Sequence, residues 1–178
     1  MQEEIVPAVR GPQLPLPNFV PELLARADKP VASLLVAWAL AWGGSLLLAA
    51  LWQGVLPAVE GPDFEAMGWF GVFMLAVFAP VVETFIMAAI LWVLTRFVKP
   101  TAAIVASALI WGAAHSALAP AWGLVIWWPF LIFSTLYLVW RQRSILWALA
   151  MPMLAHAMQN LPSAILVNFP DLITLPAA

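Results

Sequence analysis

The sequence predicts an all-α membrane protein, a polytopic helix bundle of about five spans with a partial helix near its C-terminal end. Three observations lead there. The 178 residues are 65% hydrophobic and only 9% charged, with a mean hydropathy of +0.98. A soluble domain of this size needs far more charge on its surface. The apolar residues fall into five runs, each near the ~20 residues that cross ~30 Å of hydrocarbon. The basic residues, finally, fall on one side of those runs.

The elements follow in order. Residues 1–30 hold six of the sixteen prolines and seven of the sixteen charged residues. This Pro-rich stretch reads as an extended cytoplasmic leader outside the membrane. It does not read as a signal peptide, because it carries acids and the apolar run begins only at Val31. The transmembrane domain is then 31–178. Its runs are Val31 to Trp52, Met67 to Thr95, Thr101 to Ala119, Trp122 to Trp140 and Ser144 to Asn160. The tail beyond Pro162 holds Pro170 and Asp171, and reads as a partial or re-entrant helix.

Charge sets the orientation. With five spans, Arg10, Arg26, Lys29, Arg96, Lys99, Arg141 and Arg143 all lie on one side. Glu60, Asp63, Glu65 and Asp171 lie on the other, with no base among them. The positive-inside rule then makes the leader cytoplasmic. Trp52, Trp69, Trp122, Trp127 and Trp128 fall near the outer boundary, and Trp140 and Trp147 near the inner one, as aromatic belts do. Cysteine is absent, which removes disulfides and thiolate metal sites. The net charge of −2 and the lack of a glycine-rich phosphate loop speak against nucleic acid and nucleotides.

Four polar residues stand out within the spans. Glu83 is the only acid inside one, 13 residues from Arg96 and so roughly 20 Å along a helix. His115 lies 15 residues from Pro100, and His156 lies 13 from Arg143. Asn160 is one turn beyond His156, on the same helical face. Three spans therefore carry their rare polar groups to a similar depth. Taken singly, each also fits a structural part: a neutral hydrogen-bonded acid, a boundary histidine, or polar glue between helices. Taken together they point to function, because an ionisable group in a span is costly.

Two chemistries use such a set. In one, Glu83 takes a proton from water, a histidine orients it, and a His and an Asn donate to the oxyanion of a tetrahedral intermediate. In the other, Glu83, His115 and His156 hold zinc with a position open for water. The cofactor is thus zinc or none.

In order and context these residues resemble the CPBP family, the CAAX prenyl-endopeptidase and bacteriocin-processing intramembrane proteases. That family carries Glu-Glu-x-x-x-Arg on one span, aromatic-x-x-x-His on the next and His-x-x-x-Asn on a later one. Here stand Glu83 in APVVETFIMAA, Trp111 to His115 in WGAAH, and His156 to Asn160 in HAMQN. The resemblance covers about 67–161. It implies that Glu83 and His115 activate water and that His156 and Asn160 form the oxyanion site. It also implies a bacterial cytoplasmic membrane and a peptide or membrane-protein substrate. One motif departs from the pattern: Thr84 replaces the second Glu and Ala88 the Arg. Losing both members of a possible i,i+4 pair leaves no stranded charge. The departure keeps a second reading open, a non-catalytic subunit or scaffold of a larger membrane complex. A haem or pigment binder through His115 and His156 leaves Glu83 and Asn160 idle. A proton-relay transporter lacks a visible discontinuous repeat.

Overall fold

The computed structural model describes residues 11–55 and 62–172. Arg10 and Glu60, which enter the charge argument, lie outside them. The elements are helical throughout: α1 (Glu22–Ala25), α2 (Pro30–Val55), α3 (Gly68–Leu94), α4 (Pro100–Ser116), α5 (Pro120–Arg141) and α6 (Ile145–Asn168), then a 3-10 turn at Pro170–Leu172. By length and composition α2, α3 and α5 are each able to cross a membrane. The 17 residues of α4 reach ~25 Å. The result is a helical membrane bundle whose five long helices fall where the five apolar runs lie.

The helix starts are written locally. Proline opens α2, α4 and α5, where its missing N–H has no helical partner to lose. Ser144 caps α6, its hydroxyl accepting from the Trp147 N–H at 3.2 Å.

Three expectations change. The leader does not simply extend away from the bundle. Residues 11–29 fold back, with Leu14 N donating to Ala25 O at 3.1 Å and Ala27 N to Pro12 O at 3.1 Å. Leu14, Leu24 and Ala27 are buried in the main core, so its apolar residues are anchors against α2 and α5. Second, the run from Met67 is one helix with a wide π-type turn over Met74–Phe78. Third, Pro162 does not end α6, which runs on to Asn168. A proline inside a helix removes the donor for the carbonyl four residues earlier. Here that is Met158 O, and the Trp38 indole N–H takes it at 3.1 Å. A side chain from α2 thus supplies what the proline withholds, and the helix continues.

The most buried helix, α5, packs against α4, α6 and α2. Gly112 and Gly123 let α4 and α5 close on each other. A Cβ on Gly112 would lie 3.0 Å from the Trp127 Cβ, and one on Gly123 would meet the Gly112 carbonyl and the Ser116 hydroxyl. Small residues at such crossings are the usual means of helix association where lipid offers no hydrophobic drive. Ser134 donates to Ser107 at 3.0 Å in the same interface. The outward faces of α2 and α3 carry Leu35, Leu46, Leu47, Phe73, Phe85 and Trp92, all exposed, as a lipid-facing surface requires. At the basic end, the Arg96 guanidinium lies 3.4 Å from the Trp92 ring centroid.

At the last residue of α6, Asn168 clasps the end of that helix to the start of α3. Its Oδ1 accepts from the Met67 N–H at 2.8 Å, and its Nδ2 donates to Ala164 O at 2.9 Å. A side chain at Gly71 would collide with this amide, so only glycine leaves room for it.

Candidate active site

Glu83 sits on α3 one turn past the π-type turn, and His156 and Asn160 sit one turn apart on α6. Packing of α3 on α6 brings them together. Glu83 Oε2 lies 3.7 Å from His156 Nε2. The carboxylate side chain keeps 23% of its exposure and the imidazole 7%, so the pair is shielded yet reachable at the carboxylate. The His156 ring is stacked on Phe133 at 4.8 Å and meets Phe130 edge-on at 5.4 Å. These contacts fix its plane.

Asn160 is held more tightly. Its Nδ2 donates to Leu75 O at 3.0 Å and faces His156 Nε2 at 3.3 Å. A carbonyl can only accept. The Leu75 contact therefore assigns the amide orientation and leaves an N–H directed at the imidazole.

His115 is placed differently. Its Nδ1 lies 2.8 Å from Trp111 O. That acceptor places the ring proton on Nδ1 and leaves Nε2 with its lone pair when neutral. The ring meets Trp122 edge-on at 4.6 Å and Phe130 at 5.9 Å. Phe130 thus touches both histidines, and the imidazole beside Glu83 is that of His156. Among the described residues no three His, Asp or Glu side chains gather to hold a metal ion. Glu83, His115 and His156 do not fit a zinc centre in this arrangement.

Sequence reasoning did not reach several neighbours. Trp122 backs His115 on one side and lines a cavity of about 470 Å³ on the other, with Asp63, Phe64 and Leu118. The Trp111 indole N–H is buried without an acceptor among the described residues, its ring stacked on Phe130 at 4.3 Å. The Leu75 carbonyl is backbone, and only Pro80 in the sequence hints at it. At the departure from the family motif, Thr84 is fully buried at 1% exposure and Ala88 is half-buried against the core. Both positions turn into the bundle.

Fold and site together define a multi-pass membrane protein with a half-buried carboxylate against a buried imidazole between two helices. The family follows from comparison: residues 65–162 match the model described as type II CAAX prenyl endopeptidase Rce1-like. That is more than half of the chain, and the chain belongs to this family of CAAX-type intramembrane proteases, within CPBP. Neither the curated proteins nor the solved structures give a match.

Proposed function

We propose that this protein is a divergent intramembrane endopeptidase, hydrolysing a peptide bond of a membrane-associated substrate. The observation that carries the reading is the Glu83–His156 contact at 3.7 Å, in a family of intramembrane proteases. A carboxylate this close to an imidazole can accept a proton from water while the ring stabilises or relays it. The water oxygen bonds to the scissile carbonyl carbon, the C–N bond breaks, and the proton passes to the departing amine nitrogen. His115, with Nε2 free, is suited to accept from the same water and hold its direction. The family resemblance gives His156 and Asn160 the oxyanion.

Cleavage of a peptide library by the full chain in lipid nanodiscs, compared with Glu83→Gln, tests the reading. The swap keeps shape and removes the acid. Turnover is expected to fall ~10²-fold or more, the range that loss of a general base costs. Equal turnover in the variant refutes the mechanism.

A specific observation also favours the second reading. Thr84 and Ala88 face the interior where the family carries Glu and Arg, so the bundle retains the positions without the charges. A non-catalytic scaffold with the family fold accounts for that, and it predicts no cleavage by the wild-type chain. In either case we place the protein in a bacterial cytoplasmic membrane, on the family resemblance, with the leader inside, on the one-sided bases. A single cysteine at position 63 of this cysteine-free chain should react with a membrane-impermeant maleimide from outside intact cells. Reaction from the cytoplasmic side alone reverses the orientation.

A further inference from the structure

The π-type turn in α3 has a cause in the sequence. The Ala79 N–H bonds Met74 O, five residues back, instead of Leu75 O four residues back. The next residue is Pro80, which has no N–H to offer. Leu75 O therefore lacks both the α-type and the π-type donor. It does not go unsatisfied, because Asn160 Nδ2 reaches it from α6 at 3.0 Å. The bond serves more than packing, since it decides which end of the Asn160 amide faces His156 Nε2, 3.3 Å away.

We infer that Pro80 and the Leu75 carbonyl are positioning elements of the site: the carbonyl freed by the proline holds Asn160 so that its N–H is directed at His156 Nε2. The inference rests on reading Glu83 and His156 as the hydrolytic pair. It gives Asn160 the task of setting the imidazole. One amide hydrogen is held by Leu75 O and the other faces His156. The imidazole nitrogen that meets Glu83 is thereby also approached by a fixed N–H.

The test is Pro80→Ala in the full chain in nanodiscs. Alanine restores the N–H and lets α3 close into regular helix, so Leu75 O returns to the backbone and Asn160 is released. Alanine favours helix strongly over proline, and thermal stability should stay or rise. The chain has two histidines, so the side-chain ¹⁵N spectrum is simple to assign. The His156 Nε2 resonance should move in Pro80→Ala and in Asn160→Leu, while His115 stays put. Cleavage should lose about tenfold in kcat with KM unchanged, the scale of one hydrogen bond of ~1.4 kcal/mol. Combining Pro80→Ala with Asn160→Leu should cost no more than either alone, because both break one link. Losses that multiply in the double variant, or a His156 resonance indifferent to Pro80→Ala, overturn the inference. Should Pro80→Ala fail to assemble, replacing Ala76 by its α-hydroxy counterpart weakens the Leu75 carbonyl as an acceptor and changes no side chain. An unmoved His156 resonance there also overturns it. The spectroscopic arm needs no turnover. If His156 responds but the wild-type chain cleaves nothing, the positioning stands and the protease reading falls.

Discussion

Pro80 and Pro162 create the same defect in two regions, and the regions use it differently. Each proline withholds an N–H, and a carbonyl upstream is taken by a side chain from a neighbouring helix. At Pro162 the donor is Trp38, an indole with one N–H, and the result is a join between α2 and α6. At Pro80 the donor is Asn160, an amide with two hydrogens. One makes the join between α3 and α6, and the other is left for His156. The difference lies in the capacity remaining after the backbone is satisfied. A partner with nothing left over fastens the fold. A partner with a hydrogen to spare carries the backbone's geometry into the site.

The largest effect expected bears on the α3 side. Thr84→Glu alone buries an unpaired acid, and Ala88→Arg alone a base. Each should destabilise the detergent-solubilised protein by about 3–5 kcal/mol, as stranding one charge of a buried pair does. Installing both should recover at least ~1 kcal/mol, since the side chains meet across one helical turn. Thermal or denaturant unfolding of the four proteins measures the coupling. Gained cleavage in the double variant would mark the native chain as a weakened protease, and coupling without cleavage would favour the scaffold. A coupling near zero would mean that α3 does not present these positions as a pair.

A smaller effect sharpens the contrast between the prolines. Trp38→Phe removes the donor to Met158 O, and should lower stability by about 1 kcal/mol. Pro162→Ala restores the backbone donor and makes Trp38 dispensable there. Cleavage should stay within about twofold in both, the scatter expected of sites that share no partner with the reacting pair. A tenfold loss of kcat in Pro162→Ala would erase the distinction between the two regions.

Much of the fold is legible in the sequence because lipid imposes a simple rule: a run of apolar residues must be a helix. The proline starts at Pro100 and Pro120 and the Ser144 cap are local signals and lie at the helix ends. Glu83, His156 and Asn160 stand out because polar groups are rare in spans, and the bundle does bring them within reach of one another. His115 shares their depth, yet it is turned to Trp111 O and walled by Trp122 and Phe130. Depth along a helix is readable from spacing; the direction around it depends on which helices become neighbours. The continuation of α6 through Pro162 was illegible for the same reason, since the compensating donor comes from a residue 120 positions away. The anchoring of the leader by Leu14 and Leu24 follows a third route, apolar residues hidden among prolines and charges.

The clasp between Met67 and Asn168 has a consequence for how the protein comes into being. These residues are 101 positions apart, so at ~5–20 residues per second the ribosome needs about 5–20 s to go from one to the other. For most of that interval α3 is already made, while the amide that holds its first turn does not yet exist. The imidazole that partners Glu83 and the amide that takes Leu75 O are delivered by the same late helix. The nascent chain thus passes through the insertion machinery with its carboxylate unpartnered. The Glu83–His156 pair can close only after α6 has been made. The order of synthesis therefore keeps the proposed hydrolytic centre incomplete until the last long helix has been made.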